Sequence, residues 1–113
     1  MDLLPAALPG PVRRYFELDA ERDTDSIVAL FTSDATVVDE RETHQGTSAI
    51  RAWQLGAASK YTYTTAILGA EELDPDRFVV RARLTGNFPG GIVDLKWDFT
   101  VDGPRITRLV IAP

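Results

Sequence analysis

The spacing of apolar residues along this chain changes from a helical period in the first half to alternation in the second. One helix is predicted over 11–22, because positions i, i+3, i+4 and i+7 share a face there. That face consists of Val12, Tyr15, Phe16 and Asp19. From residue 61 onward apolar and polar residues alternate, which is the period of strands with one buried side. Helices followed by a run of strands indicate an α+β domain.

The elements between these two regions are shorter. A second helix is predicted over 25–31, with Asp23 or Thr24 as its cap. Its buried side consists of Ile27, Leu30 and Phe31. A β-branched run over 35–39 predicts a strand, and a charged loop is expected over 40–46.

A third helix, capped by Thr47 or Ser48, is predicted to present Ile50, Trp53 and Ala57 on one side. Alternation and turn residues then place four strands over 61–68, 78–88, 92–101 and 106–111. The helices are expected to cover one face of a bent sheet.

Size and charge exclude several classes of protein. The 113 residues suit one domain, 1–113, in which a proline-rich stretch over 1–10 is expected to be a loose arm. The net charge is −5 and the basic residues are scattered, so neither nucleic acid nor a membrane is a predicted partner. The start of the chain has no signal-peptide pattern, and no apolar run has membrane length, so a cytoplasmic location is expected.

The sequence offers no pattern for covalent catalysis or nucleotide binding. It has no cysteine, no Gly-x-Ser-x-Gly turn and no glycine-rich phosphate loop. Glu40, Glu42 and His44 alternate, and an extended loop could gather them as metal ligands, but exposed charged loops are far commoner. We therefore predict no metal and no other cofactor.

Five segments carry a resemblance to a known family. They are DATVVD at 34–39, GTSAIRAW at 46–53, GNFPGG at 86–91, WDF at 97–99 and RITRL at 105–109. With the order of elements, they resemble the SnoaL-like group of the nuclear transport factor 2-like superfamily, which includes polyketide cyclases and ketosteroid isomerases. The resemblance covers the chain from residue 12 onward. It implies a cone-shaped α+β barrel, with three N-terminal helices in the concavity of a strongly bent mixed or antiparallel sheet. It specifies function poorly, because this fold serves unrelated activities.

Ketosteroid isomerases suggest two catalytic residues by resemblance. Their catalytic base, an aspartate at the end of the first strand, falls on Asp39, and their main oxyanion donor, a tyrosine of the first helix, falls on Tyr15. Their second donor, a protonated aspartic acid, falls on Trp97. Alternation points its neighbour Asp98 to the opposite face, although a one-residue bulge would reverse the two and leaves Asp98 open as the cavity residue. An indole N–H from Trp97 is a candidate substitute donor.

A purely structural role, without catalysis, remains open for each of these residues. Asp39 could bind loop amides or meet solvent, and Tyr15 could be an ordinary core residue. His44, the only histidine, is an accessory candidate, which as a partner of Asp39 would suit a hydratase. The candidate ligand pocket, some of which could be plain core, comprises Phe16, Phe31, Trp53, Tyr63, Trp97 and Phe99.

Two classes of function follow. The first is a small-molecule-binding protein with an apolar cavity that takes a hydrophobic or fused-ring molecule, with isomerase or cyclase activity by proton abstraction next to a carbonyl. The second is a non-catalytic binding or assembly module of the same fold. A homodimer through the convex sheet face is expected in either case, from the resemblance and because helices on one face would leave apolar residues on the other.

Overall fold

The computed structural model describes residues 8–56 and 60–113. Residues 1–7 of the predicted arm, and Ala57, lie outside the described residues. Leu8 is buried in the core and Gly10 already belongs to the first helix, so the described end of the predicted arm packs against the domain.

Three helices and six strands make up the described chain. In chain order they are α1 (Gly10–Glu21), α2 (Thr24–Ala29), β1 (Phe31–Asp39), β2 (Glu42–Gln45), α3 (Thr47–Leu55), β3 (Tyr63–Asp74), β4 (Arg77–Gly86), β5 (Ile92–Asp102) and β6 (Arg105–Ala112). None of the described helices combines the length and apolar character needed to cross a membrane.

The sheet is mixed and open, with strand order β2-β1-β6-β5-β4-β3. β1 and β6 run parallel and every other neighbouring pair runs antiparallel. The helices cover the inner face and enclose one core with it, which confirms the predicted cone-shaped α+β fold. The core is built from the inward-facing side chains of the strands and the buried sides of the three helices.

The second helix is shorter than predicted. Asp23 caps α2, its carboxylate accepting a hydrogen bond from the Ser26 N–H at 3.2 Å. The predicted extension to Phe31 is wrong, because the Leu30 carbonyl accepts from the Ile106 N–H at 2.7 Å. That bond draws the chain into the sheet, where Phe31 pairs with Ile106 as the first residue of β1.

The charged segment predicted as a loop over 40–46 contains a strand instead. β2 pairs with β1, and the two-residue turn between them holds Glu40 and Arg41 at φ 51° and 67°. Positive φ at both positions is typical of a tight hairpin turn. β2 is an edge strand with mostly exposed side chains, so its sequence lacks the apolar alternation that would have indicated it.

The outer face of β4 and β5 is largely charged. Arg77 and Asp98 form a bidentate ion pair there, as do Arg83 and Asp94. Asp98 thus points away from the core while its neighbour Trp97 is buried, as alternation predicted. This part of the face is not the apolar surface assumed for the homodimer, which stays a prediction.

Candidate functional site

A cavity of about 610 Å³ opens between α1, α3 and the inner face of the sheet. Its polar groups include Tyr15, Asp19, Asp39 and Tyr63. The rest of its lining is mainly aromatic and aliphatic, namely Trp53, Tyr61, Leu84, Phe88, Pro89, Val93, Leu95, Trp97, Ile111, Ala112 and Pro113, with Glu40 and Arg41 from the β1–β2 turn. The structure therefore brings the two predicted catalytic side chains to one cavity.

Tyr15 lies on the buried face of α1. Its ring meets the ring of Phe99 edge to face, with centroids 5.4 Å apart. Burial raises the pKa of Tyr15 well above its usual value, and the nearby acidic groups Asp19 and Asp39 add to the rise. A hydrogen bond from Trp97 acts in the opposite direction.

Trp97 is the neighbour of Tyr15 that favours the charged form of the phenol. Its indole N–H, which can only donate, lowers the pKa of Tyr15 against the effect of burial. Within the described residues the Tyr15 hydroxyl donates no hydrogen bond, so its proton is available to a ligand.

Asp39 ends β1 and is half-buried. The indole N–H of Trp53 donates to its Oδ2 atom at 3.0 Å. Trp53 is almost completely buried in α3, so this bond holds the carboxylate in one orientation. Oδ1 has no hydrogen-bond partner in the described part of the chain and is free to take a proton.

Asp19 is a site residue that the sequence analysis did not single out. It follows Tyr15 by one helical turn, and its Oδ2 atom accepts from the Tyr63 hydroxyl at 2.8 Å. Gln54 of α3 donates to Oδ1 at 3.4 Å. Burial raises the pKa of Asp19, although these two bonds and the charge of Arg22 oppose the shift. Its place on the apolar face of the predicted helix was the available signal.

Three of the six predicted pocket residues line the cavity and three do not. Trp53, Tyr63 and Trp97 line it. Phe16 and Phe99 instead pack beneath it, with ring centroids 5.8 Å apart, because both belong to the aromatic cluster that supports Tyr15. Phe31 is buried at the opposite end of β1 from Asp39, which removes it from the cavity.

His44 lies beside the site without lining it. Its ring is 6.2 Å from that of Trp53, measured between centroids. The side chain that hydrogen-bonds Asp39 is Trp53, and His44 forms no hydrogen bond with Asp39. The structure therefore gives no geometric support to the hydratase interpretation, which requires His44 to face the cavity. Among the described residues, no three His, Asp or Glu side chains are grouped as metal ligands, the alternating set around His44 included.

Comparisons with known proteins assign the family. The model of the SnoaL-like domain matches residues 12–109, so this chain belongs to the SnoaL-like domain family. No curated protein matches its sequence.

Solved structures agree with this assignment. A Sinorhizobium meliloti protein, provisionally assigned as a polyketide cyclase, is 40% identical, with a TM-score of 0.85 over 93% of this chain and 95% of that one. A Sphaerobacter thermophilus protein is 27% identical, with a TM-score of 0.76 over 90% and 91% of the two chains. A Mycobacterium tuberculosis protein in complex with estradiol-17β-hemisuccinate has a TM-score of 0.76 over 91% and 90%; its 15% identity shows the shared fold alone.

Proposed function

We propose that this protein binds a small, mostly apolar molecule in its cavity and moves a proton next to a carbonyl, as a cofactor-independent isomerase or cyclase. The supporting observation is that a carboxylate with a free oxygen, Asp39, and a phenol with an uncommitted proton, Tyr15, line the same cavity. A positioned base and a positioned hydrogen-bond donor are the groups that this chemistry requires.

In the proposed mechanism Asp39 is the base. Its Oδ1 atom takes the proton from the carbon next to the carbonyl, while the bond from Trp53 holds Oδ2 in place. Negative charge then develops on the carbonyl oxygen, and the Tyr15 hydroxyl donates a hydrogen bond to it. The carboxyl group of Asp39 finally returns the proton to another atom of the enolate.

Tyr15 would work without the second oxyanion donor of ketosteroid isomerases. Trp97 occupies the position of that donor and lies beside Tyr15. Loss of one oxyanion donor costs about 10²–10³ in rate, so we expect slow turnover of steroid ketones. Because Trp97 favours the charged form of the phenol, it would make Tyr15 a better hydrogen-bond donor.

The relatives support a ligand of this class. The Sinorhizobium protein is provisionally assigned as a polyketide cyclase, and the Mycobacterium protein binds a steroid ester. Polyketides and steroids both present carbonyl or phenol oxygens on an extended apolar skeleton. We propose that the ligand of this protein does the same.

Binding of planar phenols tests the proposal, because such phenols resemble the enolate that Tyr15 would stabilise. Thermal stability would be measured with a phenol panel, including a steroidal phenol, for wild type, Tyr15→Phe, Asp39→Asn and Asp34→Asn. Asp34→Asn is the matched control, because it makes the same change on an exposed part of β1. We expect stabilisation of wild type and the control that weakens in Tyr15→Phe, which lacks the donor. Asp39→Asn should keep or increase the stabilisation, because neutral Asn resembles the protonated Asp39 that accompanies the enolate in the proposed mechanism. Absence of stabilisation by every phenol would favour the non-catalytic binding module.

A further inference from the structure

The cavity contains a second pair of groups that the proposed mechanism leaves unused. Asp19 and Tyr63 both line it, and 2.8 Å separates the Tyr63 oxygen from Asp19 Oδ2. They come from α1 and from the first residue of β3, and α3 contributes Gln54, whose amide donates to the other carboxylate oxygen. Elements distant in sequence therefore meet to hold one carboxyl group inside the cavity.

We propose that Asp19 and Tyr63 form a second proton-transfer pair, which acts on an oxygen atom of the ligand and is separate from Asp39. Tyr63 would be the catalytic residue that touches the ligand, and Asp19 would act through it as a positioning residue. This role rests on the proposed function only in requiring that a ligand enters the cavity.

The direction of proton transfer depends on the charge of Asp19. While Asp19 is ionised it can only accept, so the Tyr63 proton points at the carboxylate and the Tyr63 oxygen can accept from a ligand hydroxyl. Once Asp19 is protonated it can donate to Tyr63, and the Tyr63 proton becomes available to a ligand carbonyl. Tyr63 thus offers the ligand a hydrogen-bond acceptor when Asp19 is ionised and a hydrogen-bond donor when Asp19 is protonated.

The transfer itself is a relay of protons without change of oxidation state. In the donating direction the Tyr63 O–H bond breaks as its proton bonds to the ligand oxygen, and the carboxyl proton of Asp19 moves to the Tyr63 oxygen. Negative charge ends on Asp19. The accepting direction is the reverse, and solvent restores the starting state through the open side of the cavity.

Several groups around Asp19 affect this equilibrium. Arg22, which directly follows α1 and whose guanidinium lies 5.1 Å from the centre of the Tyr63 ring, favours the ionised form, as do the hydrogen bonds from Tyr63 and Gln54. Burial opposes them more strongly and raises the pKa of Asp19. Tyr15, one turn earlier, and Asp39 also face the cavity, and the Tyr15 phenol is neutral at physiological pH.

Titration of Asp19 by carbon NMR of its carboxyl group tests the pair without any ligand. We expect Asp19 to titrate above the ordinary range of aspartates, and to move further upward in Tyr63→Phe, because that variant lacks a bond that favours the ionised form. Tyr61→Phe is the matched control. The Tyr61 ring contacts that of Phe88 edge to face, and the loss of its hydroxyl should leave the Asp19 titration unchanged. An ordinary Asp19 titration that Tyr63→Phe does not move would overturn the proposal.

Affinities for a ketone and an alcohol of one skeleton, α-tetralone and α-tetralol, then test the change of direction. In wild type the preference for the ketone should rise about fivefold to tenfold as pH falls through the Asp19 titration, the effect of exchanging one hydrogen bond. The preference should stay constant with pH in Asp19→Asn and in Tyr63→Phe. A constant preference in wild type, or the same rise in Asp19→Asn, would contradict the role of the pair.

The proposed function of Asp39 and the proposed role of the Asp19–Tyr63 pair can be disproved independently of each other. Asp39→Asn should strongly reduce the acceleration of proton exchange at carbon but keep the pH-dependent preference for the ketone. If Asp39→Asn leaves exchange at carbon intact while the preference still depends on pH, the proposed function is wrong and the Asp19–Tyr63 pair stands.

Discussion

The cavity and the outer face of the sheet shift the pKa of an aspartate in opposite directions. Inside, burial raises the pKa of Asp19 despite two hydrogen bonds that favour its charge. Outside, the bidentate contact from Arg83 lowers the pKa of Asp94, which remains in water. Removal from water thus outweighs hydrogen bonding at Asp19, whereas at Asp94 the hydrogen bonds from Arg83 outweigh desolvation. The carboxyl group with a raised pKa, the kind expected to transfer protons, is therefore Asp19 in the cavity and not Asp94 on the outer face.

The largest effect should come from the aromatic support of the cavity. Phe99 is completely buried and packs against Tyr15 and Phe16, so Phe99→Ala removes a ring that the surroundings cannot replace. We expect a loss of about 3–5 kcal/mol in the free energy of unfolding, measured with urea. Lys96→Ala, an exposed change on the same strand, should stay within about 0.5 kcal/mol. Equal losses in both variants would show that the two faces of β5 do not differ as described.

A smaller loss in the free energy of unfolding is expected from removing a hydrogen bond to the Asp19 carboxylate in the cavity. Tyr63→Phe removes a donor from Asp19 and should cost about 1–2 kcal/mol at a pH above the Asp19 titration, where the carboxylate accepts that bond. The cost should shrink as pH falls, because neutral Asp19 depends less on that donor. Urea unfolding of wild type and variant across the pH range measures this trend, and a cost that is independent of pH would contradict it.

Asp19→Asn should reveal directly in which direction the pKa of Asp19 is shifted by folding. Because the folded-state pKa of Asp19 is raised, its contribution to stability is complete below the unfolded-state pKa and is lost as pH rises through the folded-state value. Wild type should therefore lose stability relative to Asp19→Asn on going from acid to neutral pH. The comparison of unfolding free energies of the two proteins at each pH cancels the other carboxyl groups, and the opposite trend would refute the assigned shift.

Asp94→Asn should give the smallest effect and the opposite dependence on pH. The lowered pKa of Asp94 means that its contribution is present above the unfolded-state pKa and is lost as pH falls through the folded-state value. Because the pair with Arg83 is exposed, about 1 M salt should remove most of the difference from wild type. Melting temperatures at low and high salt measure this, and a difference that survives salt would indicate a stronger interaction than an exposed pair provides.

Most of the fold could be predicted because hydrophobic periodicity records which side of each element is buried. Alternation separated Trp97 from Asp98 correctly, and the four late strands and the three helices are present. β2 was not predicted because an exposed edge strand needs no apolar side. The end of α2 was predicted wrongly because a hydrogen bond from the distant Ile106, which no local pattern shows, takes the chain into β1.

The site was less predictable than the fold. Tyr15 and Asp39 were found by resemblance, and both line the cavity. Periodicity also placed Asp19 on a buried face, but its bond to Tyr63 joins residues 44 positions apart, and only the tertiary structure reveals it. Periodicity likewise could not separate Phe16 and Phe99, which support the cavity, from Trp97, which lines it, because all three are simply inward-facing aromatic residues.

Deuterium exchange at the carbon next to the carbonyl of a fused-ring ketone, followed by NMR, tests the central claim most directly. Wild type and the control Asp34→Asn should accelerate exchange over buffer. Asp39→Asn should reduce that acceleration by about 10²–10⁴, the usual contribution of a positioned base. Equal acceleration by wild type and Asp39→Asn, or none by wild type, would contradict the proposal that Asp39 moves a proton in this cavity.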